Sequence, residues 1–306
     1  MDMPLDSSLR TSTPERQLAL AHTCPRVDEL PAAAPIVKWA GGKGRLLPQL
    51  LPLLPRRVGG MRHVEPFMGG ASLFFACRPS RAILGDINAT LVAAHAMVRD
   101  RPDAVIRALR PLARAHTDGT DAYYRARDRF NAMRDRRIGP TQAARFLYLN
   151  RTGFNGLYRV NRRGEFNVPR GRYRNPRIVR TPELRAASAR LRGVELVAGS
   201  FEVTLQRAQP GDFVYLDPPY HPLSRTANFT AYATGGFGED DQRRLRIAFD
   251  ELTRRGCFVM ASNSASDFIR ELYAGYQIDE VLAPRSVNRN PSRRGLVREL
   301  VIRNYT

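Results

Sequence analysis

Six short apolar runs constrain this chain more than any other feature. Arg62–Phe67, Arg81–Gly85, Val194–Ala198, Asp212–Leu216, Cys257–Ala261 and Glu299–Asn304 are rich in Val, Ile, Leu and Phe and are bounded by turn residues. Runs of that length are too short for helices and read as strands buried on both faces. A helix precedes the fifth run: Glu239, Asp240 and Asp241 open it, and Leu245, Ala248, Phe249 and Leu252 recur at 3–4 spacing. Arg254 and Arg255 close it and Gly256 stops it, so its charges complement the helix dipole. Strands alternating with helices predict an α/β layer structure with a mostly parallel sheet.

The pattern changes in the middle. From Asn88 to about Leu149 it is helical, with Tyr123, Tyr124 and Phe130 spaced for one face; Asn150–Pro176 then becomes rich in Gly, Asn, Arg and aromatics, like a loop or hairpin. The expected organisation is a disordered leader over 1–34, an α/β domain formed by 35–87 and 180–306, and an inserted domain over 88–179.

Charge narrows the function. Lys and Arg number 49 against 29 Asp and Glu, a formal net charge of +20. Only Lys38 and Lys43 are lysines, so a GC-rich genome explains some of the arginine, but not the shortage of acids. Such an excess points to a polyanionic partner, nucleic acid ahead of a membrane surface. No stretch approaches the ~18 apolar residues of a membrane span, and the leader has no signal-peptide core, which predicts a cytoplasmic protein. Cys24, Cys77 and Cys257 form no Cys-x-x-Cys pair, and His22, His63, His95, His116 and His221 have no metal-ligand spacing. No metal is expected.

Three segments carry chemistry. Asp217-Pro218-Pro219-Tyr220 follows the run Phe213–Leu216, which places a carboxylate at the carboxyl end of a strand, where α/β folds bind ligands. The prolines stiffen the backbone and remove competing donors, so Asp217 and the Pro218 carbonyl present acceptors beside the Tyr220 ring. That combination suits an exocyclic amino group on a stacked base. In the second segment, Glu65–Ser72, Phe67, Gly69 and Gly70 follow a strand and let a ligand approach the backbone. Asp86 ends the next strand, placed to accept hydrogen bonds from ribose hydroxyls; the plainer reading of it is a helix cap. No full Gly-x-Gly-x-x-Gly is present, so a nucleoside-type cofactor fits better than a phosphate cradle. The third segment, Lys38-Trp39-Ala40-Gly41-Gly42-Lys43, gathers the lone tryptophan and both lysines into a glycine loop from which Lys43 can reach a carboxylate.

In this order the segments resemble the Dam-type, or D12 class, DNA adenine-N6 methyltransferases. The resemblance rests on Lys38–Lys43, Glu65-Pro66-Phe67, Asp86-Ile87-Asn88, Leu147–Arg159, Gly164–Pro169, Asp217–Tyr220 and Thr226–Tyr232, and covers about residues 35–306. It implies a Rossmann-like sheet dependent on S-adenosylmethionine, with an inserted, mainly helical target-recognition domain carrying a hairpin. It also implies that 35–87 and 180–306 form the catalytic domain, and that Trp39, Lys43, Asp86 and Asp217 contact the cofactor while Phe67 and Gly69 line its pocket. Ala71 departs from the family's Phe-x-Gly-x-Gly turn, and its methyl is expected to crowd the cofactor.

The implied reaction is methyl transfer to adenine N6, with Asp217, Pro218 and Tyr220 catalytic and the adenine flipped out of duplex DNA, since N6 is unreachable inside the stack. In the hairpin, Arg159 suits a guanine, and Leu157 and Pro169 suit a thymine methyl. Phe154 can wedge into the vacated stack, Asn155 can bond the orphaned base, and Arg172 and Tyr173 can hold phosphates. Arg162, Arg163, Arg170 and Arg174 read as backbone contacts only. The hairpin's similarity to GATC-methylating relatives implies GATC as the site, in a solitary, restriction–modification or phage role and with no obligate protein partner. The alternatives are a catalytically silent DNA-binding regulator of the same fold and an amino methyltransferase acting on cytosine N4 or RNA.

Overall fold

A computed structural model describes residues 31–117, 119, 121–133, 138–223, 236–284 and 296–306. Residues 1–30 of the expected leader, Cys24 among them, and the segment Thr226–Tyr232 lie outside the described residues.

The strands are β1 (His63–Glu65), β2 (Ala82–Asp86), β3 (Glu195–Ala198), β4 (Phe213–Leu216), β5 (Phe258–Ser264), β6 (Gln277–Pro284) and β7 (Leu296–Arg303). They form one seven-stranded sheet in the order β3-β2-β1-β4-β5-β7-β6. The first five are parallel; β7 runs antiparallel to β5, and β6 antiparallel to β7. This is the expected α/β architecture. Two expectations need correction. β6 was not anticipated from sequence, because Gln277, Asp279 and Glu280 break its apolar run. β3 was expected to be buried on both faces but is an edge strand, and only Val197 of its residues is buried.

The helices are α1 (Leu47–Leu50), α2 (Ser72–Cys77), α3 (Ala89–Asp100), α4 (Pro102–Thr117), α5 (Asp121–Asn131), α6 (Pro140–Thr152), α7 (Thr181–Leu191), α8 (Phe201–Leu205), α9 (Glu239–Arg254) and α10 (Asp267–Leu272). The long acid-to-base helix read from sequence is α9. Asp241 accepts the Gly238 amide at 2.9 Å at its start, and Gly256 follows it at φ +78°. In α5, Tyr123 and Phe130 face inward, but Tyr124 is exposed, so the three do not share a face. Adjacent residues on a helix lie about 100° apart, which takes Tyr124 off the buried stripe.

Alternation along each strand sorts the core onto the two faces of the sheet. Val64, Ile83, Val214, Val259 and Leu300 pack with Leu245 and Phe249 of α9 and with Ile269 of α10. On the other face, Phe213, Tyr215, Met260 and Val301 pack with Leu46 and Leu50. Beside these, Ala82 and Leu84 join a cluster that continues through Leu91 and Val98 of α3 and Val105 of α4 to Tyr148 of α6 and Phe166. Helices α3 to α7 therefore share their core with the sheet.

Candidate active site

Strand order reverses between β1 and β4: the chain steps outward from β1 through β2 to β3 on one side, and from β4 to β5 on the other. A crevice opens at the carboxyl ends of the strands flanking such a point. Glu65 ends β1 and Asp217 follows β4, and the pairing of His63 with Phe213 and Val64 with Val214 sets the two strands level there.

Asp217 heads the site. Its Oδ1 lies 2.6 Å from Lys43 Nζ, with side chains 19% and 6% exposed respectively. Lys43 also donates to the Gly41 carbonyl at 2.8 Å and sits 4.8 Å from the centre of the Tyr220 ring. The carboxylate that Lys43 reaches thus belongs to Asp217. Burial pushes the Asp217 carboxyl up to about 6 against the pull of Lys43, and the negative charges of Glu299 and Glu65 push the same way. The Tyr220 phenol donates to Glu299 Oε2 at 2.7 Å and is held well above its ordinary pKa by burial and by Asp217 and Glu299, so it stays protonated. Pro218 is buried.

Glu65 turns inward. Its Oε1 accepts the Phe74 amide at 2.9 Å, capping the first turn of α2, and meets His63 Nε2 at 2.6 Å. The turn that follows is built around Gly69, at φ +45°, where a Cβ would fall 2.7 Å from the Trp39 indole. Only glycine accepts both the left-handed backbone and that approach. The Gly69 amide donates to Asp86 Oδ2 at 3.0 Å, and the Asn88 amide to Asp86 Oδ1 at 2.9 Å. Asn88, not Asp86, caps α3, accepting the Leu91 amide. Burial pushes Asp86 up to about 6 as well, opposed by its two amide donors. Ala71 adopts φ 54°, and its residue is 1% exposed within the core cluster that includes Ile36 and Phe74.

These residues fit a nucleoside ligand. Each Asp86 oxygen receives one backbone donor, which leaves lone pairs for hydroxyls. Ile87 is 65% exposed although it directly follows a fully buried strand, offering an apolar face beside that carboxylate. Phe67 stacks on Phe201 at 5.5 Å and meets Phe237 edge-on at 5.9 Å.

The segment after α6 folds back on itself. Antiparallel bridges join Gly153 to Arg170 and Val160 to Phe166, and the Phe154 amide donates to the Pro169 carbonyl at 2.9 Å. Phe154, Asn155, Arg159, Pro169 and Arg172 are exposed, with Asn155 at φ 52°. Leu157 is half-buried against the core, and Arg159 donates to Asn167 Oδ1 at 2.8 Å across the turn. Tyr173 lies 4.0 Å from Lys38 Nζ.

Several residues that shape the site were given no role of their own from sequence, although Asn150 and Tyr158 lie in the Leu147–Arg159 segment. Asn150 clamps the glycine loop to the hairpin: its Oδ1 accepts the Lys38 amide at 2.8 Å, and its Nδ2 donates to Lys38 O at 2.7 Å and Gly156 O at 2.9 Å. Tyr158 stacks on Trp39 at 5.9 Å. Glu299 anchors Tyr220, and Gln242 and Asn263 brace the Pro219–His221 backbone. Gln242 did leave a signal, being the one polar member of the buried stripe Gln242, Leu245, Phe249 and Leu252. Among the described residues, no group of three or more His, Cys, Asp or Glu could hold a metal ion, and no helix is long and apolar enough to cross a membrane.

Residues 39–287 match the family model of the D12 class N6 adenine-specific DNA methyltransferases. The chain is 40% identical over 273 residues to the Type II methyltransferase M1.LlaDCHI of Lactococcus lactis subsp. cremoris, covering 89% of this chain and 95% of the relative. It is 38% identical over 285 residues to the Type II methyltransferase M.MjaIII of Methanocaldococcus jannaschii, covering 89% and 99%. It is 40% identical over 266 residues to a DNA adenine methylase of Escherichia coli, covering 87% and 93%.

Proposed function

Because this chain belongs to the D12 class of N6 adenine-specific DNA methyltransferases, we propose that it methylates the adenine of GATC in duplex DNA after flipping that base out of the stack. The family is one of enzymes that act on DNA and implies S-adenosylmethionine as methyl donor. The observation that carries the reading is the Lys43–Asp217 pair at the end of β4, with Pro218 and an anchored Tyr220 beside it. Retention of Lys43, Asp86 and Asp217 favours catalysis over a silent DNA-binding role.

Adenine N6 is conjugated with its ring and is a poor nucleophile. Hydrogen bonds from its two N–H groups to the Asp217 carboxylate and the Pro218 carbonyl draw the nitrogen toward sp³ and free its lone pair. Tyr220 stacks on the extruded base, whose flipping costs a few kcal/mol. Lys43 keeps Asp217 ionised, and so able to accept, in a site that otherwise favours its neutral form. S-adenosylmethionine would supply, when bound, a sulfonium methyl group open to in-line attack and would depart as the neutral thioether S-adenosylhomocysteine; the proton that N6 then sheds passes to its acceptor Asp217 and on to solvent. Trp39, Phe67, Gly69 and Asp86 are the residues that would hold it, with Asp86 accepting from the ribose hydroxyls.

Residues 35–87 and 180–306 act on this reading as the catalytic part, and 88–179 as the target-recognition part. Arg159 reads a guanine, Leu157 and Pro169 contact a thymine methyl, Phe154 fills the vacated stack, Asn155 bonds the orphaned base, and Arg172 and Tyr173 hold phosphates. The names of the relatives, two Type II methyltransferases and one DNA adenine methylase, agree with DNA adenine methylation. Expression in a methylation-deficient host followed by genome-wide mapping of N6-methyladenine tests the proposal. Methylation at GATC is expected. A mapped motif without GATC overturns the site, and absence of N6-methyladenine overturns the activity.

A further inference from the structure

The Asp217–Tyr220 segment has a holding problem. Pro218 and Pro219 carry no N–H, so the first backbone donor after Asp217 is that of Tyr220, and the segment cannot be fixed by a strand ladder. Both φ angles are locked by the rings, which leaves few soft torsions between the end of β4 and the Pro219 carbonyl. Whatever restrains that carbonyl therefore also sets the direction of its neighbour, the Pro218 carbonyl.

The restraint is a relay of two buried amides. Gln242 Nε2 donates to the Pro219 carbonyl at 2.9 Å, and Gln242 Oε1 accepts from Asn263 Nδ2, also at 2.9 Å. Asn263 Oδ1 accepts the His221 amide at 3.1 Å and the Ser264 amide at 2.9 Å. Gln242 is 0% exposed and Asn263 1% exposed. The two ends of the relay fix its polarity: a carbonyl at Pro219 demands a donor, and two N–H groups at the other end demand an acceptor. Each amide thus has one acceptable orientation, and each is neutral and shielded from water, where a hydrogen bond is stiffest.

We propose that Gln242 and Asn263 are positioning residues for methyl transfer, aiming the Pro218 carbonyl at the amino group through the pinned Pro219 carbonyl. The inference rests on the adenine-N6 reading above. Gln242→Met keeps the length of the side chain but leaves the Pro219 oxygen and Asn263 Nδ2 unpaired. Gln242→Glu keeps the shape; held neutral by burial it can still donate to the Pro219 oxygen, and only when ionised does it set a carboxylate oxygen against that carbonyl. Asn304 provides the control, because it ties the far end of the same α9–β5 seam: its Oδ1 accepts the Val259 amide at 2.7 Å, and its Nδ2 donates to Cys257 O at 2.8 Å and Thr253 Oγ1 at 3.0 Å.

The experiment is single-turnover transfer of labelled methyl to a GATC duplex, read as rate constant and amplitude separately. In Gln242→Met, and in Gln242→Glu at a pH above its raised carboxyl pKa, the rate constant is expected to fall on the order of 10- to 100-fold, with amplitude and the Kd values for duplex and S-adenosylmethionine held within about twofold. Asn304→Ala is expected to lower Tm and leave the rate constant unchanged. If Gln242→Met does not fold, the isosteric Gln242→Glu carries the test: its rate constant falls as rising pH ionises the buried carboxyl, whereas the wild-type rate constant does not. A normal rate constant with reduced amplitude in the Gln242 variants, a loss confined to Kd, or an equal slowing by Asn304→Ala overturns the inference. If the wild type transfers no methyl to adenine, the underlying reading fails instead.

Discussion

Lys43 Nζ stands 2.6 Å from Asp217 Oδ1, a cation from the segment ahead of β1 set against the carboxylate that follows β4. Two effects compete at that oxygen. Burial favours the neutral acid and Lys43 favours the anion; burial prevails enough to leave the carboxyl at about 6.

Removing the cation shifts that balance further. In Lys43→Met the Asp217 carboxyl should titrate above about 6, because burial and the charges of Glu299 and Glu65, all of which raise it, remain. On the proposed mechanism the ionised form accepts from adenine, so activity exists above the pKa and is lost as pH falls through it. The acid limb of a single-turnover pH–rate profile should therefore move to higher pH. An unmoved limb would show that Lys43 does not set the ionisation of Asp217.

Asp86 gives a second pH dependence in a different observable. Its carboxyl also lies at about 6, so affinity for S-adenosylmethionine should weaken below that value and Asp86→Asn should flatten the dependence. Titration calorimetry across this range measures it. The fold responds with the opposite sign. A carboxyl whose folded pKa exceeds its unfolded one binds more protons in the native state, so these two groups add stability as pH falls through about 6 toward the ordinary carboxylate range. Cofactor affinity that does not change with pH would remove Asp86 from the cofactor site.

Asp217→Ala should abolish methyl transfer while leaving duplex binding largely intact, since the hairpin and its arginines are untouched. Tritiated-methyl incorporation and a filter-binding Kd separate the two. Incorporation near the wild-type rate would refute the assignment of Asp217.

Arg159→Ala should cost ~1–3 kcal/mol of discrimination at one guanine-containing pair, while Arg174→Ala weakens binding to all sequences alike. To read a base, Arg159 must exchange its bond to Asn167. Competition binding against duplexes with single-pair substitutions distinguishes the two variants. Unchanged site preference in Arg159→Ala would overturn its role.

Much of the scaffold was legible because buried parallel strands leave continuous apolar runs, as in Phe213–Leu216 and Ala82–Asp86. β6 was not, because an antiparallel edge hairpin buries only alternate residues such as Val281 and Ala283. Lys43, Asp86 and Asp217 stood out through residue type and position beside strands and glycine turns. Glu299, Asn150 and Asn263 did not, because their value lies in partners 79, 112 and 42 residues away along the chain. Such long-range hydrogen bonds leave no local period. Asp86 shows the converse: read locally it passes for a helix cap, and only the fold reveals that Asn88 does that work.

The unbroken cluster from Leu84 through Val105 and Tyr148 to Phe166 bears on how such a protein changes its target. A transplanted recognition unit would have to match Phe74, Leu84 and Leu184 at the join, and each large side chain replaced by a small one there would open a void worth about 2–5 kcal/mol. Wholesale exchange of cassettes is therefore disfavoured. Arg159 and Pro169, the base contacts of the proposed reading, stand on the exposed rim of the hairpin, where substitution leaves the interior untouched, so the cheaper route to a new specificity is drift, one side chain at a time.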